Sequence, residues 1–167
     1  IESIINKNKD NSECFIDNDN SEGQIVLSGS TEDLKKVMID LKINNIKNIK
    51  LPVSAPFHCK LMNKATIIMN EEISKLNFQN PNNALISNVT GKEIHNTKEL
   101  KDLLIMQIES RVRWRESVSF MINNGVDQFI EIGPGKVLSS LVKRIDKNVK
   151  VSAINNEEDI KLININE

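Results

Sequence analysis

Phe129-Ile130-Glu131-Ile132-Gly133-Pro134-Gly135-Lys136-Val137-Leu138 is the stretch that decides the fold. Its first four residues have strand character and run into a tight turn built from two glycines and a proline. Val137, Leu138, Leu141, Val142 and Ile145 then recur at helical spacing, and Val149 to Ala153 reads as another strand. Strands that alternate with helices over residues 50–155 imply a parallel or mixed α/β sheet. The glycine turn invites a phosphate-loop reading, which fails. Ile130 stands where a Walker loop requires glycine, and Val137 stands where serine or threonine should follow the lysine. The turn is therefore read as a strand-to-helix connection in which glycine lets the backbone approach a neighbour closely.

Upstream of that unit the same alternation continues. Leu100, Leu103, Leu104 and Ile108 form one helical face behind the capping candidate Asn96-Thr97-Lys98-Glu99. Trp114, Val118, Met121 and Ile122 mark a further helix, closed by Asn123-Asn124-Gly125. Ala84 to Ser87 reads as a short strand. Leu61, Ala65, Ile68, Met69, Ile73 and Leu76 stripe a helix that begins near His58 and runs to about Lys75. Before it, Leu51-Pro52-Val53-Ser54-Ala55-Pro56-Phe57-His58 is a stiff connection, because two prolines fix φ and extend the residues ahead of them. Residues 1 to about 8 look like a helix tail. Glu13 to Ile16 and Gln24 to Leu27 look like strands around a turn-rich Asp17-Asn18-Asp19-Asn20-Ser21-Glu22-Gly23. Ser30 opens a helix carrying Leu34, Val37, Met38 and Leu41, and Ile46 to Val53 reads as a strand. Helix, strand, strand, helix, strand is most of a ferredoxin-like unit. The polar tail from Asn155 is expected to fray.

Composition narrows the function classes. The chain has 167 residues, a net charge of −1 and 27% charged residues, which argues against nucleic-acid binding by bulk electrostatics. No apolar run approaches the length of a membrane span, and no signal peptide opens the chain. Asn, Ile and Lys supply 65 of the 167 residues, a bias of AT-rich codons. Cys14 and Cys59 form no C-x-x-C and are read as two reduced thiols of an intracellular protein. The abrupt start at Ile1, with no methionine, suggests part of a longer polypeptide.

Chemistry concentrates on His58. It follows a rigid turn, and at a helix N-terminus the dipole would favour the neutral imidazole that a general base requires. Cys59 completes no dyad with it, since adjacent helical positions face apart. His95 reads as a turn residue. Two distant histidines without clustered cysteines make a zinc site unexpected, so no metal is assigned. There is no G-x-S-x-G. The chain thus offers a base and no nucleophile.

Five motifs in register carry a resemblance. They are Asn20-Ser21-Glu22-Gly23-Gln24-Ile25-Val26-Leu27-Ser28-Gly29, Leu51 to Met62, Ser87-Asn88-Val89-Thr90-Gly91, Val112-Arg113-Trp114, and Ile130 to Leu138. The chain resembles the malonyl-CoA:acyl carrier protein transacylases of type II fatty acid synthesis over nearly its whole length. The match covers the C-terminal portion of that family, with the nucleophile-bearing N-terminal half absent. The resemblance implies an α/β fold, with part of an α/β-hydrolase-like large subdomain over residues 54–167 and a ferredoxin-like small subdomain, its first part missing, over residues 1–53. It implies an [acyl-carrier-protein] S-malonyltransferase that works by ping-pong transfer on a Ser-His pair, this chain supplying the histidine.

Carried over residue by residue, His58 matches the histidine that activates the serine, and Gln107 the position whose backbone carbonyl orients the imidazole. Asn20 and Gln24 match a loop over the cleft where the pantetheine arm could bind. Phe57 matches a position where bulk goes with malonyl over branched acyl groups. Arg111, Arg113, Arg115 and Lys136 are candidate contacts for acyl carrier protein, which is acidic. Glu22 and Arg111 replace two prolines usual in the family, which puts loop geometry there in question. No permanent cofactor is implied, and malonyl-CoA is a substrate. The partners implied are acyl carrier protein, malonyl-CoA and the missing N-terminal half, with no nucleic acid and no membrane. Two other readings stay open: an acyltransferase domain of a polyketide or type I synthase, which the ending near Ile154-Asn155 disfavours, and a non-catalytic module that binds acyl carrier protein. An intracellular location is expected, in the plastid stroma of an AT-rich plastid-bearing parasite or otherwise in the cytoplasm.

Overall fold

The computed structural model describes residues 1–7, 13–53 and 55–162. Helix α1 (Glu2–Lys7) leads into strands β1 (Cys14–Ser21) and β2 (Gln24–Gly29), which pair antiparallel. Helix α2 (Thr31–Ile43) follows, then α3 (Asn63–Lys75), α4 (Thr97–Met106) and α5 (Trp114–Asn123). Strand β3 (Gln128–Ile132), helix α6 (Val137–Ile145) and strand β4 (Lys150–Ile154) complete the unit, and α7 (Glu157–Lys161) ends it. The β3–β4 pair is parallel, in register from Gln128 opposite Lys150 to Ile132 opposite Ile154. Parallel neighbours cannot be joined by a tight turn, and α6 is the crossover between them.

Three apolar clusters hold these elements. Ile4, Ile5, Cys14, Val37 and Leu41 join α1, β1 and α2. Ile94, Leu100 and Leu103 pack with Phe78 and Val89. Val118, Val142 and Val149 join α5, α6 and the start of β4. A short parallel bridge ties the hairpin to the segment that follows α4. Val112 N–H donates to the Asp17 carbonyl at 2.7 Å and Asp19 N–H to the Val112 carbonyl at 2.9 Å.

Several expectations change. Asp17 to Ser21 is strand rather than turn, and only Glu22-Gly23 turns the chain. The reason is alternation: Asp17, Asp19 and Ser21 are all buried, and the two carboxylates point inward to Ser28 and to Arg111 and Arg115. Residues 46–53 form no paired strand. Asn45, at φ +56°, ends α2 in a Schellman turn, with Ile46 N–H donating to the Leu41 carbonyl at 2.8 Å, and the segment beyond is exposed. Ala84 to Ser87 shrinks to a single bridge between Ile86 and Glu93. Residues 60–62 form one 3₁₀ turn, so α3 starts at Asn63 and His58 lies outside any helix. The tail folds into α7 behind an Asn156–Asp159 capping box, while its last five positions, like position 8 of the N-terminal helix tail, lie outside the described residues. Among the described residues no helix is long and apolar enough to cross a membrane.

Candidate active site

His58 sits in the turn that ends the Pro-rich connection, with φ at +56°. A non-glycine residue in the left-handed region stores of order 1 kcal/mol or more of strain, which persists only where its surroundings over-determine the conformation. Two contacts do so. His58 Nδ1 lies 3.0 Å from the Gln107 carbonyl oxygen. A carbonyl can only accept, so the bond fixes the tautomer: Nδ1 carries the proton and Nε2 keeps its lone pair. The turn itself is held by Ser28, whose hydroxyl lies 3.1 Å from the Phe57 carbonyl. The orientation comes from Gln107 and not from a helix dipole, since no helix starts at His58.

Gln107 caps the C-terminus of α4. The segment after it is strapped down on both sides, by the Val112 bridge to β1 and by Arg113 N–H donating to the Asn88 carbonyl at 2.9 Å. Asn88 also donates to the Gln107 side chain at 3.4 Å. A cavity of about 440 Å³ opens beside the imidazole, lined by Glu2, Cys14, Cys59, Lys60, Glu109 and Arg111 among others. Both cysteines are free and buried. Burial, and then the nearby Asp33 and Asp17 carboxylates, push the Cys14 thiol up to about 11, so it stays protonated and is a poor nucleophile at neutral pH. Among the described residues no cluster of three His, Cys, Asp or Glu could hold a metal ion.

The remaining candidates scatter. Phe57 is half exposed beside His58. Asn20 lies in β1, not in a loop, and Gln24 opens β2, so the two stand near the hairpin tip. The Gln24 side chain accepts from Arg144 of α6. The arginines are not a free basic patch. Arg111 and Arg115 both donate to Asp19, at 2.7 and 2.8 Å, and Asp19 is 1% exposed. Arg111 also reaches Glu2 at 3.0 Å, and Arg113 binds Glu116 at 2.9 Å. The hydrogen bond and charge of Asp19 raise the Arg115 pKa further. Lys136 is exposed at the start of α6, away from these pairs.

Asp17, Asp19 and Ser28 were missed by sequence reasoning. Their signal was available: a period of two through Asp17, Asp19 and Ser21, and arginines four apart at 111 and 115. Turn-forming composition masked it.

No protein-family profile matches the chain. The malonyl CoA-acyl carrier protein transacylase of Bacillus subtilis (strain 168) is 39% identical over 144 residues, 86% of this chain and 45% of that protein. The crystal structure of the Clostridium perfringens transacylase superposes with a TM-score of 0.92 at 38% identity, covering 96% of this chain and 51% of that one. Its homologues are malonyl CoA-acyl carrier protein transacylases. A third structure, TM-score 0.90 at 32% identity, covers 96% of this chain and 53% of its own, and is a malonyl-transacylase in complex with a type II PKS acyl-carrier protein. The chain spans about half the length of the transacylases it matches. Its α/β fold is that of the transacylase structures.

Proposed function

We propose that this chain supplies the proton-transferring histidine of a malonyl transferase, acting from malonyl-CoA to the phosphopantetheine thiol of acyl carrier protein. The observation that carries the reading is His58, held by the Gln107 carbonyl at 3.0 Å with Nε2 available as base. In the first half-reaction Nε2 takes the proton of a serine hydroxyl as that oxygen attacks the malonyl thioester carbonyl. Collapse of the tetrahedral adduct expels the CoA thiolate, which recovers the proton from the imidazolium. In the second half-reaction the carrier thiol gives its proton to Nε2 and attacks the malonyl ester, and the departing serine oxygen takes that proton back. The Gln107 carbonyl stabilises each transient imidazolium through the Nδ1–H bond, the role a carboxylate plays in a triad.

The serine belongs to polypeptide beyond this sequence, which has no G-x-S-x-G and spans about half of its relatives. Residues 1–53 are assigned to a ferredoxin-like small subdomain and 54–167 to part of an α/β-hydrolase-like large one. Phe57 is assigned to the acyl pocket, Asn20 and Gln24 to the pantetheine arm, and Lys136 with Arg113 to the carrier surface. His58→Ala in the complete enzyme should lower malonyl transfer to carrier protein by about 100- to 10,000-fold. Near-normal turnover would overturn the reading.

A further inference from the structure

We infer that Asp17 is a positioning residue for His58, acting through the Ser28 hydroxyl on the turn that carries the imidazole. The inference rests on His58 being the working base, but its geometry stands without that. Asp17 is buried in β1 and its carboxyl is bonded to Ser28 Oγ, a buried hydroxyl of β2. The same Oγ lies 3.1 Å from the Phe57 carbonyl, one residue before His58. The backbone carbonyl of Asp17 accepts from Val112, in the segment that follows Gln107. Asp17 is therefore linked to both supports of the imidazole: through Ser28 to the turn that presents it, and directly to the strap that carries its orienting carbonyl.

Hydrogen-bond accounting gives the arrangement a direction. Ser28 has one hydroxyl proton and two acceptors within reach, the Asp17 carboxyl and the Phe57 carbonyl. When Asp17 is ionised, its carboxylate takes that proton, because charge-assisted bonds are the stronger. The Phe57 carbonyl then loses the hydroxyl. When Asp17 is protonated, its own O–H donates to Ser28 Oγ, and Ser28 donates onward to Phe57. All three groups are then satisfied, and the His58 turn is gripped. Burial pushes the Asp17 carboxyl above the usual carboxylate range, opposed by the Ser28 bond and then by the positive potential of His58. The other charged or titratable groups around His58 are Glu2 on α1, Cys14 on β1, Cys59 and Lys60 on its own turn, and Glu109 and Arg111 after α4. Arg111 is paired with Glu2 and Asp19.

Carbon-13 and nitrogen-15 NMR of the labelled protein against pH tests this. The Phe57 carbonyl carbon should inflect at the pH where the Asp17 carboxyl carbon titrates, and the His58 ring nitrogens should show an inflection at the same pH. Asp17→Asn and Ser28→Ala should each abolish the Phe57 inflection, whereas Ser28→Thr, which keeps the hydroxyl, should retain it. If one of the first two variants fails to fold, the other carries the test with Ser28→Thr. A Phe57 inflection that survives either substitution, or is absent from the wild type, overturns the proposal. The readout needs no acyl transfer, so its failure leaves the transferase reading standing, and failure of that reading leaves this coupling intact.

Discussion

Asp19 shows how much one side chain can organise. It is almost fully buried and accepts from two guanidinium groups that arrive from the far side of the Val112 bridge. Removing one partner of a buried pair leaves charge without compensation, which costs several kcal/mol when both partners are buried. Arg115 is about half exposed, so solvent recovers part of that loss. Asp19→Ala should therefore destabilise the fold by about 2 kcal/mol in urea denaturation. Arg115→Ala should cost distinctly less, and a cost above that of Asp19→Ala would contradict this account. At this scale the sequence was half legible. His58 could be singled out from its stiff, proline-bound setting, and Gln107 from the resemblance. Asp17 and Asp19 could not, because Asp, Asn, Ser and Gly favour turns locally and only partners 11 to 96 residues away make them strand.

Helix α2 is where local rules and tertiary structure agree. Ser30 caps it, accepting from Asp33 N–H at 3.2 Å, and Asn45 closes it. Ser30→Ala should cost about 1 kcal/mol in chemical denaturation. Asp33 adds a pH term. The Glu13 N–H, then Ser30 and Lys36, hold its carboxylate below the usual range. Such a group contributes stability that is present above the unfolded carboxylate value of about 4 and is lost as pH falls through the lower folded value. Asp33→Asn should thus flatten the acid limb of a stability-versus-pH curve while changing its alkaline limb little. Helices α2, α4, α5 and α6 were legible because their apolar faces repeat within ten residues, whereas α7 was not expected and α3 starts later than its stripe suggested. The segment 46–53 was not, since its β-rich composition says nothing about whether a neighbouring strand is there to pair with.

The described residues, a span about half the length of its relatives, keep much apolar surface uncovered. Ile49 is 83% exposed, Ile132 79% and Val137 68%, and α3 shows Ile67, Ile68 and Met69 to solvent. Its charge is arranged differently from a simple basic face, because Arg111 and Arg115 are paired with the buried Asp19 while Arg113 pairs with Glu116 at the surface. A carrier-protein surface should then respond to Lys136→Glu, with a higher KM for carrier protein at low salt and a smaller change at high salt. An unchanged KM at both salt concentrations would place the docking face elsewhere. The parallel order of β3 and β4 could be anticipated from one strand-turn-helix stretch, whereas the extent of bare surface could not, since an apolar residue in a sequence is read as buried by default. Those bare faces have a practical consequence. Produced by itself and crowded, this span would offer the unpaired edges of β3 and β4 as a template on which further copies could zip into insoluble stacks.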